Sequence, residues 1–333
     1  MLRDILILGL AVAVQILPVQ ILPAQVPAAE SSPAGKSSDE PFKLSTTAEL
    51  VLLDVSVKSA TGDHVSGLTK DSFRVYEDGK LQTVSHFASE DVPVTAGLVI
   101  DTSGSMRAKR PEVLTAALAL IGASNPSDEI FVVHFSDSVS LGLPDKVPFT
   151  GDIVQLRSAL WRGAAEGRTA LNDAVVLSLK HLEQGRRDRR TLILVSDGGD
   201  NSSVHKADEV MRMVLESPAT IYTIGIFDES DPESNPALLR RLAGISGGES
   251  FLKVQLDAVM GICRQIASDI RTRYTIGYSP VRSGDRGSLR KIKVTASTPG
   301  GHKLMVHTRT SYVLPPQRPS ADRDGEPGRK RGL

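Results

Sequence analysis

The sequence predicts an α/β protein, a doubly wound and mostly parallel sheet, with a small flanking all-β domain. Three observations carry this. Between Val92 and Arg273 short apolar runs alternate with stretches of helical period, the rhythm of strands and crossover helices in a sheet covered on both faces. On either side, over residues 44–90 and 274–314, apolar residues tend to recur at every second position, the period of half-buried strands. Two apolar runs of the middle region end in an aspartate followed by small residues, Asp101-Thr102-Ser103-Gly104-Ser105 and Asp197-Gly198-Gly199-Asp200. Ligand sites of open parallel sheets form at such carboxyl ends.

The chain begins with Arg3 and an apolar run, Ile5 to Leu17, followed by small residues up to Ala29. Residues 1–29 read as a secretory signal, since Gln15, Pro18, Gln20 and Pro23 interrupt a run that a membrane span would need unbroken. An uncleaved anchor is the other reading, and only then would the chain meet a membrane. Residues 30–43 are rich in Ser, Pro and charge and form a linker; residues 315–333 have the same texture and are expected to be disordered. In the 44–90 segment Val51, Leu53, Val55 and Val57 alternate with Asp54, Ser56 and Lys58, and Asp78-Gly79 marks a hairpin turn. Residues 274–314 repeat the pattern with Ile292, Val294 and Ala296. Each β segment is too short for its own core, so the two are expected to pair.

Within 92–273 the expected strands are Thr95–Ile100, Glu129–Phe135, Thr191–Val195, Ala219–Phe227 and Glu249–Val254. The expected helices are Glu112–Gly122, Asp152–Arg162, Ala170–Gln184, Ala207–Glu216, Pro236–Ala243 and Leu256–Thr272.

Composition removes several function classes. The 39 basic and 39 acidic residues cancel, so no long-range field draws the chain to nucleic acid or anionic lipid. The single cysteine, Cys263, cannot close an intramolecular disulfide or furnish a cysteine-rich zinc site; its place in the last helix of the middle region marks it as a core residue.

The first aspartate motif supplies Asp101, Ser103 and Ser105, three hard oxygens within five residues. A carboxylate buried at a strand end is costly without a cation. Thr169, opening a helix after Gly167-Arg168, and Asp197 after a later strand complete a set of carboxylates and hydroxyls with no imidazole or thiolate nearby in sequence. Such a set suits Mg²⁺, Ca²⁺ or Mn²⁺ over zinc, with Mg²⁺ the first expectation. Arg107, Lys109, Arg110 and Arg168 lie beside these motifs, either as solvated charges or as attraction for an acidic partner. Gly244-Ile245-Ser246-Gly247-Gly248 matches the pattern of a hydrolase nucleophile, but the order around it is helix, turn, strand, whereas that motif needs strand before helix. His302 and His307 lack metal-ligand spacing, and His134 reads as a packed strand residue.

Taken together, Asp101-x-Ser103-x-Ser105, the loop threonine Thr169 and the later Asp197 resemble the metal-ion-dependent adhesion site of von Willebrand factor type A domains, whose element order residues 92–273 also resemble. The flanking runs around Gly67-Leu68-Thr69 and Tyr274-Thr275-Ile276-Gly277-Tyr278 resemble the bacterial group described as related to that domain. The resemblance implies a Rossmann-like fold and a bound divalent cation. Ser103 and Ser105 would be direct ligands, Thr169 a direct or water-mediated one, and Asp101 and Asp197 the carboxylates. It further implies that a protein partner completes the site with a Glu or Asp. The expectation is therefore a secreted or periplasmic, non-enzymatic binding module. A metal-dependent hydrolase, or an envelope component whose metal only stabilises loops, are the alternatives.

Overall fold

A computed structural model describes residues 50–163, 165–227, 234–280, 287–298 and 300–313. The expected signal, linker and tail lie outside these residues. Within them, the middle region forms a sheet of six strands. In chain order these are β5 (Val94–Asp101), β6 (Glu129–Phe135), β7 (Val139–Leu141), β8 (Arg189–Ser196), β9 (Thr220–Gly225) and β10 (Ser250–Phe251). They lie in the order β10-β9-β8-β5-β6-β7. All neighbours are parallel except β6 and β7. Every residue of β5 and β6 is buried, because helices cover both faces and a two-sided strand is apolar without alternation.

The helices are α1 (Arg110–Gly122), α2 (Ile153–Leu160), α3 (Leu171–Leu182), α4 (Ala207–Glu216), α5 (Pro236–Ser246) and α6 (Leu256–Arg271). α1 packs on α2 and α6, while α4 packs on α3 and α5. Adjacent strands β5 and β8 thus feed helices of two separate groups, α1 and α4, and their outgoing loops diverge around a crevice. The expected strands and helices are all present with ends shifted by a few residues. The last strand shortens to two residues, and the antiparallel edge strand β7 carried no readable signal in three residues, of which Ser140 and Leu141 are exposed.

The flanking segments supply β1 (Val51–Lys58), β2 (Phe73–Glu77), β3 (Lys80–Gln82), β4 (Val84–Ala88), β11 (Tyr274–Tyr278), β12 (Leu289–Ser297), β13 (Lys303–His307) and β14 (Ser311–Val313). They join in one antiparallel sheet, β3-β2-β12-β13-β1-β11-β4 with β14 on β12. Val51 lies opposite Tyr278, and Val75 opposite Val294, so strands from both ends of the sequence interleave. Asp78 and Gly79 take positive φ, 47° and 81°, the two-residue hairpin that matches strand twist. Leu53, Val55, Phe73, Tyr274, Ile276 and Tyr278 lead a core separate from that of the six-stranded sheet.

The far end of the polar face of β1 does not meet solvent. Ser56 is 1% and Lys58 3% exposed, because this face lies against the α/β layer. Ser56 donates to Asp269 and Lys58 pairs with Glu249. Asp269, on α6, also accepts from Tyr222 and, at 3.1 Å, from Arg273. Arg273 lies where the chain leaves α6. It donates to the carbonyls of Gly247 (2.9 Å) and Asp54 (3.2 Å), and its guanidinium sits 5.4 Å from the Tyr222 ring centre. Burial alone would raise the Asp269 carboxyl; Arg273 and the Ser56 and Tyr222 hydroxyls instead hold it at about 2.

A carboxyl held below its unfolded value stabilises the fold above that value and loses its contribution as pH falls. The stability due to Asp269 is therefore present above about pH 4 and disappears on descending through about pH 2. Asp269→Asn is expected to remove this part of the acid limb in urea titrations followed by circular dichroism. At neutral pH it is expected to cost about 3–5 kcal/mol, because Arg273 stays buried without its counter-charge.

Candidate metal centre

The β5 and β8 termini bring the first carboxylate into place. Ile100 is in register with Val195, so Asp101 and Ser196 end adjacent strands side by side. Ser196, fully buried, donates to Asp101 Oδ2 at 2.6 Å. Its own Oγ accepts from Gly198 N at 2.9 Å. Asp101 Oδ1 accepts from the Ser103 amide at 2.8 Å, which folds the loop back over the strand end. The short 3₁₀ turn Gly104–Met106 follows, with Met106 driven into the core.

Side-chain hydrogen bonds continue outward from there. Ser103 Oγ lies 3.1 Å from Ser105 Oγ, and Ser105 Oγ donates to Asp197. Four of the five residues expected at the site, Asp101, Ser103, Ser105 and Asp197, are thus joined in one cluster. Thr169 arrives through its backbone. Its amide donates to Asn201 Oδ1 at 2.9 Å, and its carbonyl accepts from the amides of Asn201 and Ser202. Two residues earlier, the Gly167 carbonyl accepts from Gly104 N at 3.1 Å. The three loops therefore adjoin, with Thr169 between the first and the last. Asp101, Ser103, Thr169 and Asp197 are buried while Ser105 is exposed, so the cluster opens to solvent on the Ser105 side.

Gly167 is required by this packing. Its φ is +86°, and a Cβ there would stand 2.2 Å from Asp137 Oδ2. The Asp137 carboxylate occupies that space because it accepts from the Arg168 amide at 2.9 Å. Ser196, Asn201 and Asp137 were not singled out from the sequence. Ser196 alone carried a signal, as the polar residue ending an apolar run directly before Asp197.

Electrostatically the cluster has a charge excess. Burial first, and then the nearby charge of Asp197, push the Asp101 carboxyl up to about 6 against the hydrogen bonds from Ser103 and Ser196. A cation between the two carboxylates would offset that repulsion, and the donors present, carboxylates and hydroxyls, are the oxygen set that hard divalent ions take. Among the described residues no three His, Cys, Asp or Glu side chains gather at one point; the donors brought together here are two carboxylates and serine hydroxyls.

The neighbouring cations are largely engaged locally. Arg107 Nε donates to the Ala165 carbonyl, Lys109 Nζ to that of Ile226 and Arg110 to that of Arg162, at 2.8–2.9 Å. Arg168 is exposed at the rim. Ser246, the residue of the hydrolase-like pattern, closes α5. Its hydroxyl accepts from Ile221 N and donates to the Ala243 carbonyl, and it is 4% exposed. His134 Nε2 lies 2.8 Å from the Ala159 carbonyl within the core. Cys263 is buried on α6, where burial pushes its thiol up to about 12.

Comparison with known proteins places these loops in a family. The chain is 27% identical over 174 residues to an uncharacterised protein of Synechocystis sp., an alignment covering 50% of this chain and 40% of that one. The chain thus spans well under half the length of that relative. Among solved structures, a von Willebrand factor type A protein from Catenulispora acidiphila aligns over 80% of this chain and 74% of its own, with 14% identity and a TM-score of 0.49. Proximal thread matrix protein 1 from the mussel byssus, described with a zinc-occupied metal-ion-dependent adhesion motif, aligns over 60% of this chain and 50% of its own, with 13% identity and a TM-score of 0.46. Residues 97–199 match the family model of the von Willebrand factor type A domain, a span that contains Asp101, Ser103, Ser105, Thr169 and Asp197. Residues 97–199 are therefore assigned to the von Willebrand factor type A domain.

Proposed function

We propose that the chain is an exported protein-binding module that holds a divalent cation, Mg²⁺ first, at Asp101, Ser103, Ser105, Thr169 and Asp197, and through it engages an acidic side chain of a partner. The observation that carries this reading is the junction of two strand-end carboxylates, Asp101 and Asp197, through the amide and hydroxyl of Ser103 and the hydroxyl of Ser105. Bound there, the cation supplies an electrophilic position that a partner's Glu or Asp can complete. The chain's own residues set that position. Asp101 and Asp197 provide the charge, and the neutral hydroxyls leave part of it uncompensated. Ser196 fixes the Asp101 carboxylate, and the exposed side of Ser105 is where a partner would enter. Arg168 at the rim would draw in an acidic group.

Export rests on the apolar run Ile5 to Leu17 and the small residues behind it. Among the described residues no helix is long and apolar enough to cross a membrane. A binding role in place of catalysis is proposed because both carboxylates joined in the cluster, Asp101 and Asp197, are committed to the candidate metal position.

Isothermal titration with Mg²⁺ and Mn²⁺ is expected to give one site, and Asp101→Asn or Asp197→Asn, which keep the side-chain shape, should abolish it. Ser196→Ala, which frees Asp101 without removing a ligand, should weaken it by about 10–100-fold. Undiminished binding in Asp101→Asn would overturn the assignment.

Capture of a partner from an envelope extract, followed by crosslinking and mass spectrometry, is expected to disappear in EDTA and return with Mg²⁺. Capture indifferent to EDTA would show that the cation serves the loops alone. Turnover of phosphate esters or peptides that Asp197→Ala removes would make the site catalytic.

A further inference from the structure

The two sheets meet at the amino ends of the parallel strands, and a cavity of about 430 Å³ opens between them, within the range of small-molecule sites. It lies at the opposite end of β5 and β8 from the aspartate loops. Leu52, Val92, Pro93 and Pro218 form much of its apolar wall. Two guanidiniums also line it, from Arg189 at the start of β8 and from Arg309 between β13 and β14.

Both guanidiniums are held on one edge and left open on another. Arg189 is 4% exposed. Its Nη2 donates to the Arg273 carbonyl at 2.7 Å and to Thr275 Oγ1 at 2.8 Å, and its Nε to Thr275 Oγ1 at 3.1 Å. Its buried Nη1 has no hydrogen-bond partner among the described residues. Arg309 Nη2 donates to the carbonyls of Leu215 (3.2 Å) and Ser217 (2.7 Å), while its buried Nε likewise has none. Leaving such donors buried and unmade is costly.

The charges do not balance either. Asp54, 3.4 Å from Arg189, is the carboxylate that faces both guanidiniums. Arg186 and Arg187, which also line the cavity, are drawn to Glu129 at 3.3 and 3.9 Å, and Asp188 is exposed at the mouth. One positive charge is left over inside, beside an apolar wall.

We propose that this cavity binds a small organic monocarboxylate with an apolar body, its carboxylate taken by Arg189 and Arg309 and its body by the Leu52–Pro218 wall. Guanidinium donors suit a carboxylate because planar N–H groups match its two oxygens. A single surplus charge favours one carboxylate over a phosphate dianion, and the apolar wall favours a ligand with a hydrocarbon part.

The test is isothermal titration of the full chain with hexanoate, hexanol and inorganic phosphate. All titrations are run in EDTA, so that no cation at Asp101 and Asp197 can hold the carboxylate; the result is then independent of the metal proposal. Hexanoate is expected to bind at one site, with hexanol and phosphate each at least about tenfold weaker. Arg309→Gln, shown to be folded by circular dichroism, is expected to lose at least about tenfold in hexanoate affinity. In the unmutated chain hexanoate should also slow phenylglyoxal labelling of Arg309 while leaving the exposed Arg240 unchanged, a readout that does not depend on how well the variant folds. Absence of saturable hexanoate binding up to about 10 mM, equal binding of hexanol or phosphate, undiminished binding in folded Arg309→Gln, or unprotected Arg309 would each overturn the proposal.

Discussion

The described chain depends on one buried guanidinium. Arg273 sits where α6 hands over to β11, and it reaches back to Asp269 on its own helix, to Tyr222 in the parallel sheet, to the turn at Gly247 and to the carbonyl of Asp54 on β1. A charge buried this deeply is tolerable only with a counter-charge and hydrogen-bonded donors, and the fold supplies the Asp269 carboxylate and a partner for each guanidinium nitrogen from four separate elements. The consequence is architectural. The antiparallel sheet is built from two sequence segments that flank the whole parallel-sheet region, and β1 must meet β11 in register while pressing Ser56 and Lys58 onto Asp269 of α6 and Glu249. Arg273 and Asp269 are where these requirements coincide.

That polar face shows how far a sequence can be read. Alternation along Val51 to Lys58 was visible, and it correctly separates Leu53, Val55 and Val57 from Asp54, Ser56 and Lys58. What alternation cannot reveal is whether the polar half faces water or a buried network, since Ser56 and Lys58 look alike in either setting. The difference is made by Asp269 and Glu249, which lie far along the chain. The continuous apolar runs of β5, β6 and β8 were readable for the opposite reason, being buried on both faces. β7, short and half-exposed at the sheet edge, has no pattern strong enough to announce it.

The candidate metal residues were legible because their chemistry is local. Asp101, Ser103 and Ser105 form one loop, and small residues must follow a strand that ends in a carboxylate. The contacts that support them were not. Ser196 reaches Asp101 only because two parallel strands share a register, and Asp137 reaches the Arg168 amide across a gap that Gly167 keeps open. The arginine-lined cavity was illegible for the same reason: Arg189 and Arg309 are brought together by the pairing of the two sheets. Nothing in the charged run Arg186 to Arg190 distinguishes the exposed Arg186 from the buried Arg189.

The parallel register of β5 with β8 has a mechanical side. From Val94 to Ile100 the two strands are bonded along their whole shared length, and both present their loops at the same end. A pull applied by a partner at those loops, with the chain restrained at the opposite end of the sheet, would run along the strand axes. With the pull taken by the loop of one strand and the restraint by the amino end of the other, the ladder would be loaded in shear, so that the inter-strand bonds resist together and are not opened one after another as at a peeled edge. Under the proposed binding role, a domain arranged in this way would be suited to bear tension at those loops.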